Sequence, residues 1–246
     1  RSVGVTGVQT CALPISTALL QADERYQKPW LTPSQAEFLS LNGLWHFRYS
    51  PDARTARTDF VEDLFDVSAW DTITVPSCWQ MKGWDTPLYI NVNHIFEDNP
   101  PFIRIQKTYT SAVDPNPTGS YRRDFILPTG WEKKRVYLHF DGLYSGAYVW
   151  INGRYIGYTQ GGNNDAEFDI SAAVRAGQNN VSIQVVRWTD ASYLEGQDMF
   201  HMSGLHRDVY LYATPRTSIR DHYITSKLHP ESDYTTRRLV DRKSVV

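Results

Sequence analysis

Residues 181–212 read VSIQVVRWTDASYLEGQDMFHMSGLHRDVYLY. The stretch opens with Val181, Ile183 and Val185 alternating against Ser182 and Gln184, which predicts a half-buried strand, and it closes with a second strand from Asp208 to Tyr212. Between the two lie carboxylates, Trp188, Tyr193 and two histidines with no helical period. That is the composition of a polar site held on a rigid sheet.

Working outward, the same alternation recurs before this stretch. Tyr121–Leu127, Arg135–Phe140 and Ala147–Ile151 read as successive strands, with Asp141-Gly142 and Asn152-Gly153 as turn signals. Asn152-Gly153 predicts a tight hairpin into Arg154–Tyr158. A strand at Glu167–Ile170 leads into a short helical turn at Ser171–Arg175 that ends at Gly177. Further upstream, Asn42-Gly43 turns the chain into a strand with Trp45, Phe47 and Tyr49 on one face. Ser50–Phe65 reads as a charged loop with a helical turn, and Trp70–Val75 as a strand stopped by Pro76. Many short strands with almost no helix predict an all-β fold, a two-sheet β-sandwich of jelly-roll type.

Ser77–Phe102 has no regular period, yet its rings argue against disorder, and a loop of that length in a compact domain is usually functional. Residues 1–28 do not fit the rest. They form a weakly apolar leader with Pro14 inside it, expected to be non-native or disordered rather than a well-formed signal peptide. Residues 237–246 are basic and patternless, and are expected to be a non-native tail.

With 246 residues, 41% of them hydrophobic, the chain can bury a sizeable core. A net charge of -2 supplies no electrostatic reason for nucleic acid or an anionic membrane as partner. No apolar run is long enough for a membrane-spanning helix. The 13% aromatic content suits a β-rich core, with any exposed surplus suited to flat apolar faces such as those of sugars. Cys11 and Cys78 imply neither a disulfide framework nor a zinc site.

Glu195 and Asp198 lie close enough in sequence to pair, but Arg187 and Arg207 offer them structural ion pairs, which is the favoured reading. His201 and His206 are wrongly spaced for a helical zinc pair and read as loop or core histidines. Asp165, Glu167 and Asp169 alternate around Phe168 as a solvated strand edge.

From about Leu41 to Pro215 the ordered set of motifs resembles the amino-terminal sugar-binding domain of glycoside hydrolase family 2, specifically that of large bacterial β-galactosidases. The resemblance rests on Leu41-Asn42-Gly43-Leu44-Trp45, Val75-Pro76-Ser77-Cys78-Trp79-Gln80, Pro87-Leu88-Tyr89-Ile90-Asn91-Val92, Asn99-Pro100-Pro101-Phe102 and, above all, the run from Arg187 to Met199. It implies a galactose-binding-domain-like jelly roll over residues 29–216, followed at 217–236 by the first strand of a truncated immunoglobulin-like domain. It also implies that Asn91 and Asp190 bind galactose hydroxyls and that Asp190 helps hold a sodium ion. Such chemistry suits an amide and a carboxylate facing vicinal hydroxyls, and a hard cation prefers oxygen ligands.

No catalytic residue is assigned within this chain. The resemblance places the acid and nucleophile on a downstream (β/α)8 barrel of about 250 residues, together with any magnesium ion. It further implies a galactoside substrate, the chain's own catalytic domain as partner, a homo-oligomer, and a bacterial cytoplasmic location with the periplasm as alternative. The rival readings are a free-standing carbohydrate-binding or lectin-like module, and the matching domain of a β-glucuronidase or β-mannosidase.

Overall fold

The computed structural model describes residues 37–90, 95–99, 104–106, 115–228 and 237–245. The leader at 1–28 and Asn91 therefore lie outside the described residues. The chain divides into two compact units, one of them Leu39–Tyr212 and the other made of the residues on either side.

The strands, in chain order, are β1 (Glu37–Ser40), β2 (Gly43–Ser50), β3 (Asp71–Val75), β4 (Leu88–Ile90), β5 (Thr118–Leu127), β6 (Arg135–Phe140) and β7 (Gly146–Ile151). They continue with β8 (Arg154–Gln160), β9 (Ala166–Asp169), β10 (Gly177–Val186), β11 (Met199–His201), β12 (Val209–Thr214), β13 (Ile219–Leu228) and β14 (Arg237–Val245). Every helical turn among the described residues is a short 3₁₀ piece. Six strands in the order β3-β2-β5-β10-β7-β8 form one sheet, and β1-β12-β6-β9 form a second. The jelly-roll-type sandwich expected from the alternating strands is thus an all-β pair of sheets.

Alternation explains the core. Phe47, Tyr121, Val149, Ile183 and Val185 come from the larger sheet, and Val136, Leu138, Phe140 and Leu211 from the smaller; all are buried. The sheets approach closely where Gly157 of β8 meets the ring of Phe168 on β9: a Cβ on that glycine would lie 2.9 Å from the ring. Gly119 is similarly bare beneath Trp79 and Phe47, with 2.7 Å to the nearer ring. The Asn152-Gly153 hairpin forms as read, with both residues at positive φ (51° and 79°), the geometry that matches strand twist.

Three readings change. β10 is not half-buried, because Asn180 and Ser182 on its polar face are also buried. The cover on that side is the 51–70 loop, fastened by Arg122, whose guanidinium donates to the carbonyls of Phe60, Glu62 and Asp63 at 2.5–2.6 Å. Asp63 in turn accepts from Asn180 at 2.5 Å and pairs with Arg175 at 2.7 Å. The stretch at 237–246, read as patternless, carries β14, paired antiparallel with β13. Its order comes from that partner rather than from its own composition.

The third change concerns the solvated edge read at Asp165, Glu167 and Asp169: β9 is an edge strand and Asp169 is exposed, but the other two carboxylates turn inward. Glu167 and Asp165 point at His139 of β6, whose side chain is only 1% exposed. His139 Nε2 is 3.3 Å from Asp141, and its Nδ1 is 3.5 Å from Glu167. Its ring stacks on Tyr210, and Glu167 also accepts from the Tyr212 hydroxyl at 2.5 Å. Burial alone would lower the imidazole pKa, but the bonds to Asp141 and Glu167 outweigh it and raise the value from 6.5 to about 9.

A raised folded value stabilises the fold fully below the unfolded pKa and loses that contribution as pH rises through the folded one. Stability should therefore fall by as much as ~3 kcal/mol between pH 6.5 and about 9, and His139→Gln should flatten that slope. Urea denaturation across this window checks it; equal slopes in both proteins would contradict the charged histidine.

Candidate functional site

The site is built where β10 leaves the sheet. Arg187 and Trp188 are buried, and the backbone of Trp188 is clamped on both sides by one side chain. Asn116 donates to the Trp188 carbonyl and accepts from its N–H, each at 3.0 Å. Phe96 meets the indole edge-on at 5.3 Å, and Tyr193 lies against Phe96 at 4.9 Å. Ile95 completes this small apolar cluster.

On this base sits the 3₁₀ turn Asp190–Tyr193. Thr189 precedes it, and its N–H donates to the Ser192 hydroxyl at 3.0 Å, which closes the turn. Asp190 is the first residue of the turn and is exposed. One carboxylate oxygen accepts from the neighbouring Ala191 N–H at 3.0 Å. A carboxylate so placed can accept hydrogen bonds from ligand hydroxyls without first breaking an ion pair.

Below Asp190 the loop is held by Glu195. Its carboxylate accepts from the Gly162 N–H at 2.7 Å and hydrogen-bonds Tyr144, whose hydroxyl is 2.8 Å from His201 Nδ1. Burial pushes the Glu195 pKa up, against the lowering effect of those two bonds. Gly162 packs on the face of Tyr144, where a Cβ would come within 2.1 Å of the ring. Phe96, Trp188, Ser192, Glu195 and His201 together wall a partly open pocket.

A second element enters beside this loop. β4 and β11 pair antiparallel, with Ile90 opposite Met199 and Tyr89 opposite Phe200. The Tyr89 hydroxyl donates to Asp198, and the Tyr89 and Phe200 rings are 5.3 Å apart. Ile90 is the last described residue before Asn91, and β4 is held by β11 at the far end of the motif that begins with Arg187 and Asp190.

The charged residues of the motif take other partners than those read from the sequence. Arg187 pairs with Asp85, not with Glu195, and also donates to the Thr86 carbonyl at 3.1 Å. Arg207 donates to the carbonyls of Asp141 and Asn163. His201 is a buried residue of the loop base and His206 is half-buried, as core or loop histidines would be. Asp85, Tyr144 and Tyr89 were not singled out in the sequence. Only Asp85, at φ 67° in Trp84-Asp85-Thr86-Pro87, sits in a turn-like context that hints at a special position.

Among the described residues no group of three or more His, Cys, Asp or Glu could hold a metal ion. The Asp190 carboxylate fits as one oxygen donor to a hard cation.

Residues 38–215 match the family model for the glycosyl hydrolases family 2 sugar binding domain. The chain belongs to that family. Among similar curated proteins, the β-galactosidase of Psychromonas ingrahamii is 43% identical over 188 residues, covering 76% of this chain and 17% of that protein. The β-galactosidase of Priestia megaterium is 40% identical over 199 residues, covering 79% of this chain and 18% of its own length. This family 2 chain thus spans less than a fifth of the relatives it matches. Of solved structures, an uncultured Clostridium sp. β-glucuronidase superimposes with a TM-score of 0.58 at 21% identity, over 86% of this chain and 34% of that one. A Bacteroides uniformis β-glucuronidase does so with a TM-score of 0.59 at 18% identity, over 86% and 26%. At such identities the likeness speaks for the family 2 fold alone.

Proposed function

We propose that this family 2 domain belongs to a β-galactosidase that hydrolyses terminal non-reducing β-D-galactose residues, and that Asn91 and Asp190 are its substrate-binding contribution. The observation that carries the reading is the exposed Asp190 carboxylate, presented by a turn on a buried Trp188 base. The names of the relatives at 40–43% identity support galactoside rather than glucuronide as substrate. In this reading Asp190 accepts hydrogen bonds from sugar hydroxyls and contributes one ligand to a sodium ion, which would add a fixed positive charge beside the sugar. Asn91 donates and accepts through its amide.

Bond cleavage belongs to two carboxyl groups about 5–5.5 Å apart in a retaining hydrolase, and we assign these, with any magnesium, to a catalytic barrel encoded with this domain. The full-length enzyme, assembled as a homo-oligomer, should cleave a chromogenic β-galactoside and spare the matching glucuronide. The 246-residue chain alone should show no turnover of either. Galactoside hydrolysis by the purified chain would overturn the division of labour, and a full-length enzyme preferring the glucuronide would overturn the substrate.

A further inference from the structure

The outward face of β7 and β8 carries four rings in a row. Tyr155 lies 5.7 Å from Trp150, Trp150 lies 6.1 Å from Tyr148, and Tyr148 lies 4.6 Å from Tyr158. Their opposite neighbours on β7, Ala147, Val149 and Ile151, fill the core, so the strip is the solvent side of the same alternation. The 51–70 loop that covers part of this face meets the strip through Phe60, which lies edge-on to Trp150 at 6.1 Å. Beyond that contact Tyr148, Tyr155 and Tyr158 stay 37–53% exposed. Exposed rings collected in one strip on a water-facing sheet call for a ligand.

The strip ends at the candidate site. A Cβ on Gly146 would sit 2.8 Å from the Tyr158 hydroxyl and 2.6 Å from the Thr189 methyl, so both converge on that glycine, and Thr189 precedes Asp190. The charges of Asp190 and Glu195 act on the Tyr158 hydroxyl, whose pKa is raised by burial first and then by these neighbours. The polar tips of the strip are phenols: Tyr158 donates to Gln160 at 2.9 Å, and the nearby Arg154 guanidinium donates to the Ala172 carbonyl. Flat apolar rings edged by hydroxyls match the flat apolar faces and the hydroxyls of pyranose rings.

From this placement we infer that Tyr155, Trp150, Tyr148 and Tyr158 form an extended stacking surface for the successive pyranose units of a neutral oligosaccharide that runs outward from Asp190. The inference rests on the sugar-binding reading of Asp190 and names a longer substrate for it. Binding energy is then spread over several rings, so affinity grows with chain length.

The test titrates the isotopically labelled 246-residue chain with β-linked galacto-oligosaccharides and gluco-oligosaccharides from one to six units, read by aromatic-ring NMR shifts and tryptophan fluorescence. Affinity should rise about tenfold or more from galactose to the tetrasaccharide, with the four strip rings shifting. Tyr148→Ala and Tyr155→Ala should bring the tetrasaccharide back to within about twofold of galactose and leave galactose binding intact. Both rings are partly exposed, and unchanged core resonances verify the fold of each variant. Galactose binding with no gain for longer chains, or a gain that survives both substitutions, overturns the strip and leaves the Asp190 reading standing. A length-dependent gain for gluco-chains but not galacto-chains keeps the strip and overturns the galactoside reading. No binding of any saccharide overturns both, and self-association abolished by Tyr155→Ala without sugar binding assigns the strip to a second copy instead.

Discussion

In the full-length enzyme, Asp190→Ala is expected to lower kcat/KM for a β-galactoside by about 1–3 kcal/mol in barrier terms, roughly five- to 150-fold. The carboxylate is exposed and accepts a hydrogen bond inside the protein from the adjacent Ala191 N–H. Removing it should therefore change folding stability by no more than ~0.5 kcal/mol, as for other surface substitutions, so the kinetic loss reports on ligand contacts. Asp190→Asn keeps acceptor capacity but loses the charge, and should recover part of the loss while weakening any dependence on sodium. Kinetics indistinguishable from wild type would remove Asp190 from the site.

The largest effect on stability is expected from Arg187→Ala. Arg187 is 6% exposed, pairs with Asp85, donates to the Thr86 carbonyl and lies over the Trp188 ring at 4.9 Å. Asp85 also receives Gln80 Nε2 at 3.3 Å, and Gln80 Oε1 accepts from the Ser203 N–H at 2.8 Å, so one network staples the 77–90 segment to both ends of the motif loop. Cutting it strands a mostly buried carboxylate, and breaking such a pair costs about 3–5 kcal/mol.

Denaturant midpoints measure that loss. A double-mutant cycle with Asp85→Ala should show strong coupling, since the second change removes the stranded charge. Tyr49 offers an independent readout. Burial, then Asp85, push its hydroxyl up to about 12, while Arg187 pulls it down. Ultraviolet titration should find it higher still in Arg187→Ala. Singles that each lose less than ~1 kcal/mol would show that the pair is incidental.

What the sequence made legible was local. The Asn152-Gly153 hairpin follows from two adjacent residues that accept positive φ, and the sandwich core follows from period-two alternation in β2, β5, β7 and β10. The Arg187–Met199 motif was also legible, because its residues are contiguous. β4 and β11 were not, since three residues are too few for a period and each becomes a strand only by pairing with the other, over 100 positions apart. Nor were the partners of the charges. Nearness in sequence suggested Arg187 for Glu195, whereas folding delivered Asp85 to the arginine and left Glu195 to the Gly162 N–H and Tyr144. Likewise Asp165 and Glu167 looked solvated until β6 brought His139 against them.

By itself, then, the sequence determined that this chain folds as two layers of strands and that one contiguous motif carries an acidic residue suited to sugar hydroxyls. The first follows from interactions between near neighbours, where spacing alone decides which face a side chain takes; the second comes from the resemblance to the family 2 domain, since spacing alone marks Asp190 as a turn or surface residue. Only the tertiary structure decided that Asp190 stands free on a buried tryptophan while Arg187 and Glu195 are consumed as supports, and that the exposed rings of β7 and β8 end beside it. Those outcomes depend on which distant segments meet, because hydrogen bonding and charge pairing act over a few ångströms of space, whatever the separation along the chain.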